Sequence, residues 1–516
     1  MSKSVKRKRR GYSYVKTFLR FSVIAFLFLV DLVLIFVASY ILNQYVVYLY
    51  IIVEFLSIIV MIPLITGDRN AAFKLYWLGV ALVLPVAGHL MYLFWGRSVI
   101  NRKAHREIQR IIDEANDYQI MDESLIKKLA ATNSDKGKLA SYLYGQNFPL
   151  YENTKITYFE IGEAFFQDVE IKLKSAQKYI FISFFIIADG AIWDRYTEIL
   201  EEKLKQGVKI YIMFDDTGSF MQMSDTSKKE LKAKGFHVLN FNPVERSYHQ
   251  LFFNYRNHQK ILIIDGRYGY TGGINISDRY ANIDSPYGHW KDTGLCLQGD
   301  AVYSLQLIFI GMWNASGGHI LVEDFPLTKE VIPDGGFCQP FADGPSNNPS
   351  NPALDMFFHV ISHAKEHVNI MTPYLVIDDT MQDLLCLTAK SGVKVRIITP
   401  GVPDKKIVRH LTIMHYGALL RDGVEIYEYT PGFIHAKHCT NEFSAIVGTI
   451  NMDFRSFYTH FENGVWIPEG EVLKDINNDF ENTIKLCKRV TYEDWKKRPL
   501  KEKLIQAFLY FFKCHF

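Results

Sequence analysis

A chain of 516 residues is too long for one ordinary hydrophobic core, so more than one folding unit is expected. Its 58 lysines and arginines against 55 aspartates and glutamates leave a formal net charge of +3, too small to supply a nucleic-acid track. The apolar residues are unevenly placed, and that unevenness opens the chain.

Residues 1–100 begin with a basic cluster, Lys3, Lys6, Arg7, Lys8, Arg9 and Arg10, followed by apolar stretches at 18–42, 46–66 and 75–95. Each can cross about 30 Å of hydrocarbon at ~1.5 Å per residue, and the first is too long for a secretory signal peptide. The segment therefore predicts an α-helical membrane anchor with two or three transmembrane helices in a multi-pass protein of the cell membrane. Basic residues before it and after it (Arg97, Arg102, Lys103, Arg106) both favour the cytoplasmic side, which three full spans cannot satisfy. Asp31 and Glu54 are costly within a span, which makes one segment a candidate for a re-entrant or interfacial path. Six scattered cysteines, Cys296, Cys338, Cys386, Cys439, Cys487 and Cys514, lean towards a reduced, cytoplasmic location for the remainder.

Residues 101–150 are charged and predict a helical linker. From 151 onward strand and helix alternate: KYIFISFFII, the helix IWDRYTEILEEKLKQ, then GVKIYIMFDD. The order returns as HVNIMTPYLVI, TMQDLLCLTAKS and GVKVRIITPG. After each unit stands a further stretch, NHQKILIIDGRYGYTGGIN at 257–275 and FIHAKHCTNEFSAIVGTIN at 433–451. Both read His-x-Lys and end in a glycine-containing loop with asparagine: His258-x-Lys260 with Gly272, Gly273 and Asn275; His435-x-Lys437 with Gly448, Thr449 and Asn451. Residues two apart on a strand share a face, so each lysine accompanies its histidine. The predicted architecture is α/β, two repeats (151–330 and 331–490) about a pseudo-twofold axis, with both histidines in one cleft. Residues 491–516 predict an amphipathic helix. Leu500, Leu504, Ala507, Phe508, Phe511 and Phe512 lie at helical spacing behind Lys497, Arg498, Lys501 and Lys503, which suits a membrane interface or docking on the core.

Two imidazoles, two ammonium groups and two carboxamides suit a phosphodiester. The lysines and asparagines (Lys260, Asn275, Lys437, Asn451) can hold non-bridging oxygens while one neutral imidazole attacks phosphorus and the other protonates the departing alkoxide. Asp265 would orient a histidine, that of its own motif or of the other. No cofactor is called for. Paired histidines could ligate zinc, but the lysines would repel a cation, so no metal is expected.

The two motifs resemble the HxKxxxxD and GxxN signatures of the phospholipase D superfamily. TGGINISDRY, GHWKDTGLCLQGDAV, TPYLV and GTINMDFRSFYTHFENGVW are similar to segments of the bacterial cardiolipin synthase family, as is the module at about 46–96. The resemblance implies two phospholipase-D-like repeats behind a transmembrane region. It also implies a phosphatidyltransferase converting two phosphatidylglycerol molecules to cardiolipin and glycerol through a phosphatidyl-histidine, among anionic membrane lipids. By similarity His258 is the nucleophile and His435 the acid and then base, with the reverse open. The second motif departs from the pattern. Eleven positions separate Lys437 from Gly448, where twelve separate Lys260 from Gly272, and Glu442 stands for the usual aspartate, with Asn441 as the alternative. The implied catalytic set is His258, Lys260, Asp265, His435, Lys437 and Glu442. A hydrolase or transphosphatidylase using water or another alcohol is a second reading, and a weakened lipid-binding protein a third. Asp278, Asp453 and Arg455 could shape a headgroup site or hold their loops. Tyr270, Trp290, Tyr374 and Phe457 read as core or cleft wall, and His289 as structural.

Overall fold

In this computed structural model the described residues are 45–67, 70–84, 87–96, 102–219, 222–223, 225–243, 255–345 and 350–516, with helical positions at Leu29, Val33 and Val37. The first expected span, 18–42, otherwise lies outside them. The chain divides into two compact units, Met1–Arg102 and Lys103–Phe516.

In the N-terminal unit the second expected span is a helix, Tyr45–Thr66, of 22 residues. At ~1.5 Å per residue it is about 33 Å long, and Tyr48, Ile52, Phe55, Leu56, Ile59 and Ile62 are exposed on it. Among the described residues, no helix is long and apolar enough to cross a membrane. The third expected span is not one helix. Ala71–Val83 stops at Leu84, whose backbone is not helical, and the chain resumes as Ala87–Met91 and a π-turn at Tyr92–Gly96. The cause is in the sequence: Pro85 supplies no N–H and disfavours the helical conformation of the residue before it. The pieces pack around Trp77 with Met61, Leu64, Ala81 and Tyr92.

The second unit is built on a 16-stranded sheet. At its centre Tyr151–Phe159 runs antiparallel to Gly336–Asp343. Outward on one side lie Gly294–Gly299, Tyr268–Gly272, Ile261–Ile264, Tyr179–Phe184, Lys209–Asp215 and His237–Phe241; on the other lie His460–Ile467, Ala445–Gly448, His438–Asn441, His367–Met371, Lys394–Pro400, Glu425–Tyr429 and Cys487–Val490. Read outward, the first six strands of the two sides match, as a pseudo-twofold axis requires, and Cys487–Val490 is added at the edge of the second. The repeated Gly-Val-Lys has a physical cause. Gly207 and Gly392 take φ of 88° and 94°, and the next amides, Val208 N and Val393 N, donate back to Lys203 O and Thr388 O. Each triplet therefore ends a helix in a left-handed turn that few side chains tolerate and turns the chain into its strand.

Residues 101–150 form Arg102–Asn116, Glu123–Thr132 and Ser134–Gly145. They do more than link, because Leu129, Leu139, Ala140 and Leu143 are fully buried in one cluster with Phe357, Val368 and Ile397 of the second repeat. The C-terminal helix is Leu500–Tyr510. It docks and also leaves an apolar stripe: Gln506 is buried and Lys513 pairs with Asp379 at 2.9 Å, while Leu500, Leu504, Phe508 and Phe511 are exposed.

Candidate active site

Each His-x-Lys motif enters the site by pairing with the other repeat. Arg256–Asn257 lies parallel to His460–Phe461, and His258 N then donates to Phe461 O at 2.8 Å. In the same way Gly432–Ile434 lies parallel to His289–Lys291, and His435 N donates to Lys291 O at 2.6 Å. The residue after each of these acceptors is acidic. His258 Nδ1 is 2.9 Å from both oxygens of Glu462, and His435 Nδ1 is 2.6 Å from Asp292 Oδ2. Each imidazole is therefore braced by the opposite half through Nδ1, and donation of Nδ1–H to the carboxylate leaves Nε2 as the ring nitrogen with a lone pair. Lys437 Nζ also lies 2.9 Å from His435 Nδ1.

The braces differ. Glu462 also accepts the hydroxyl protons of Ser456 (2.7 Å) and Thr449, whereas Asp292 accepts one further bond, from Thr293 N at 2.8 Å. Burial pushes the Asp292 carboxyl up to about 7, and Lys437 offsets part of that effect. Both histidines are held well below the usual imidazole range, first by burial and then by the charges of Lys260 and Lys437. Burial and the two lysines thus both favour the neutral imidazole. Burial lowers the lysines themselves to about 7 for Lys260 and about 8 for Lys437. Each lysine ammonium donates to the carbonyl of its own histidine, Lys260 at 2.8 Å.

Asp265 and Glu442 are not in the cleft. Asp265 lies at the far end of the buried strand Ile261–Ile264, with φ of 56°, and its carboxylate accepts from Gln177 N, Lys178 N and Tyr179 N at 2.7 to 2.9 Å. Glu442 takes the matching place in the second repeat, accepting from Lys365 N at 2.9 Å and Glu366 N at 3.4 Å. Four strand residues at ~3.3 Å each separate such a group from the motif lysine, so neither orients an imidazole. Both staple a turn to the start of the neighbouring strand. Asn441 closes the shortened turn by accepting from Phe443 N and Ser444 N. The residue lost from the second motif is lost from this turn and leaves His435 in place.

The loop asparagines are unequal. Asn275 accepts from Ile186 N and donates to Tyr280 Oη at 2.7 Å, and the Tyr280 ring lies 5.5 Å from that of His435. Asn451 Oδ1 is buried without a partner. Asp278 caps the helix Ala191–Lys205 through Ala191 N and Ile192 N, and Asp453 caps Phe454–Tyr458 through Ser456 N. His289 bonds Tyr429 Oη, and Tyr270 bonds Asp168; Trp290 lies against Phe433 and His435 in the cleft wall. His258, His460 and Glu462 place three possible ligand atoms within 4.8 Å of one another, but Lys260 and Lys437 oppose a cation there.

Asp292 and Glu462 lie outside both His-x-Lys motifs, so the motif spacing alone does not point to them. A signal was present: Asp292-Thr-Gly294 and Glu462-Asn-Gly464 place an acid two before a glycine in corresponding central strands. His460, buried with its ring 5.3 Å from that of His258, carried no such signal. Gly273 matters to this geometry, since a Cβ there would lie 2.0 Å from Asp292 Oδ1. Gly273→Ala is expected to displace the Asp292 brace and lower turnover on the order of tenfold to a hundredfold with the fold retained, measured as specific activity alongside thermal unfolding.

A duplicated α/β sheet that joins two His-x-Lys motifs, each histidine braced by the other half, defines a phospholipase-D-like protein. Comparison with known proteins narrows the class. The family described as "Cardiolipin synthase, PLD-like domain" matches residues 169–286 and 357–484, and "Phospholipase_D-nuclease N-terminal" matches 55–97. A cardiolipin synthase of Halalkalibacterium halodurans is 31% identical over 466 residues, 88% of this chain and 90% of that protein. Cardiolipin synthase 1 of Staphylococcus aureus is 33% identical over 475 residues, 87% and 92% of the two chains. The crystal structure of phosphatidylserine synthase from Haemophilus influenzae superposes with a TM-score of 0.56 at 14% identity over 74% of this chain and all of that one, which shows a shared fold. The chain belongs to the cardiolipin synthase family and is an enzyme of phospholipid synthesis.

Proposed function

We propose that the enzyme is a membrane-bound phosphatidyltransferase that makes cardiolipin and glycerol from two molecules of phosphatidylglycerol. The observation that carries this reading is the crossed bracing, His258 on Glu462 and His435 on Asp292, with a lysine beside each imidazole. Lys260 and Lys437, with Asn451, hold the non-bridging oxygens of the donor phosphate, and Asn275 sets the wall through Tyr280. The anion offsets the lysine charges that disfavour imidazolium, so His435 gains a proton as substrate binds. His258 Nε2 attacks phosphorus, the P–O bond to glycerol breaks, and His435 gives its proton to the departing oxygen. A second phosphatidylglycerol then loses a hydroxyl proton to His435, its oxygen bonds to phosphorus, and the P–N bond to His258 breaks. His258 is assigned the nucleophile because Glu462, held by two hydroxyl donors besides the imidazole, is the better-prepared anion behind it.

The apolar helix Tyr45–Thr66 supports a membrane anchor, and the exposed stripe Leu500, Leu504, Phe508 and Phe511 supports contact with the bilayer surface. The catalytic unit faces the cytoplasmic leaflet in this reading. The test is product analysis of the full-length protein with phosphatidylglycerol as sole lipid: cardiolipin and glycerol in equal amounts are expected. Phosphatidic acid without cardiolipin would establish the hydrolase instead.

The lysines predict a pH dependence. A lysine whose affinity for protons is lowered loses its charge at lower pH than usual, so the free enzyme sheds anion-binding charge as pH passes about 7 and about 8. KM for phosphatidylglycerol is expected to rise between about pH 7 and 9 while kcat changes less, since bound phosphate raises the lysine proton affinity again. Initial rates across that range check it.

A further inference from the structure

The pseudo-twofold gives each histidine one lysine, yet the cleft holds a third. Lys405 ends the loop 401–405 that follows the strand Lys394–Pro400. In the first repeat the strand Lys209–Asp215 is followed by the helices Asp216–Ser219 and Asp225–Ala233, and Lys228 of the second helix pairs with Asp216 at 3.4 Å. Lys405 instead precedes its helix, Lys406–Arg421, and makes no ion pair within 4.0 Å among the described residues.

Its surroundings point into the cleft. Lys405 Nζ lies 4.7 Å from the centre of the Tyr374 ring, Tyr374 lies 6.3 Å from Phe433, and Phe433 lies 5.9 Å from His435. Its charge lowers the basicity of both His258 and His435, so it bears on the reacting centre from one side. Asp404, whose Oδ2 accepts from Tyr374 Oη at 2.7 Å, favours the charge on Lys405. Lys405 is exposed although dense protein surrounds it; that burial and Arg455 disfavour its charge, while Asp404 and Asp453 favour it. A lysine that these two acids keep charged on an aromatic wall near both histidines is a site for an anion.

The proposed chemistry says which anion is missing. In the second half-reaction the attacking alcohol carries its own phosphodiester, one glycerol away from its hydroxyl, while Lys260 and Lys437 are occupied by the reacting phosphate. Water and neutral alcohols carry no such group. We propose that Lys405, with Arg455 beside it, holds the phosphate of the acceptor phospholipid and so directs the phosphatidyl group to an anionic lipid alcohol. This assignment rests on the phosphatidyltransferase reading.

The test sets a charged acceptor against a neutral one. Full-length protein in detergent micelles receives phosphatidylglycerol with 1-butanol, and cardiolipin and phosphatidylbutanol are measured in one reaction. In Lys405→Gln the ratio of cardiolipin to phosphatidylbutanol is expected to fall at least about tenfold, the cost of one lost charge-assisted contact, with Arg455→Gln moving it the same way by less and Lys405→Arg retaining it. An unchanged ratio, or an equal fall of both products, would overturn the assignment while leaving the phosphatidyltransferase reading intact. Failure of the unsubstituted protein to make cardiolipin would overturn both.

Discussion

Glu462→Gln is expected to slow cardiolipin formation by about 10³- to 10⁴-fold, and Asp292→Asn by a similar factor, with both variants folded. The reason is tautomeric. A carboxylate accepts a hydrogen bond from Nδ1–H of its histidine and so fixes the tautomer whose Nε2 carries the lone pair; an amide can turn its N–H towards Nδ1 and so stabilise the tautomer with its proton on Nε2. The imidazole then cannot attack phosphorus or accept the acceptor's proton. Asp265→Asn and Glu442→Gln should behave in the opposite sense. Their carboxylates serve backbone amides, so their loss costs about 1–3 kcal/mol of stability while turnover per folded molecule stays near that of the unsubstituted enzyme. Steady-state rates and thermal unfolding on the four variants separate the pairs. If Asp265→Asn proved as inactive as Glu462→Gln, the crossed bracing would not be the working arrangement.

His258→Ala is expected to remove activity altogether, below about 10⁻⁴ of the original rate, because no group remains to form the P–N bond. His435→Ala should be as severe with phosphatidylglycerol, whose glycerol leaves as a poor alkoxide needing a proton. The two variants part company with a donor whose leaving group is a nitrophenolate. Such a group departs unprotonated, so His435→Ala should release it in a single-turnover burst while His258→Ala should not. A burst from His258→Ala and none from His435→Ala would reverse the roles.

The halves of this molecule were unusually legible in its sequence. Two Gly-Val-Lys triplets and two His-x-Lys motifs imply a duplicated sheet because each has one local physical cause, a left-handed helix end in the first case and a shared strand face in the second. The apolar run Ile261–Ile264 reads as a strand covered on both faces, and every one of its residues is buried. What stayed hidden was what depends on the join between the repeats. Asp265 follows its histidine at the family spacing, and nothing local says that the four-residue strand Ile261–Ile264 carries it out of the site. Asp292 and Glu462 reach the histidines through short parallel pairings, His289–Lys291 with Gly432–Ile434 and His460–Phe461 with Arg256–Asn257, that link residues over a hundred positions apart. The break at Leu84 shows the reverse case, where one proline outweighed an apolar run long enough for a span. Lys405 was invisible for a simpler reason: it belongs to neither motif, and only the fold brings its loop to the cleft.

The measurement that tests the account most directly is the site of the covalent intermediate. Enzyme quenched in alkali during turnover with radiolabelled phosphatidylglycerol, then digested, should carry the phosphatidyl label on the peptide containing His258, with none in His258→Ala. Label on the His435 peptide, or cardiolipin formed at full rate with no labelled histidine, would contradict it.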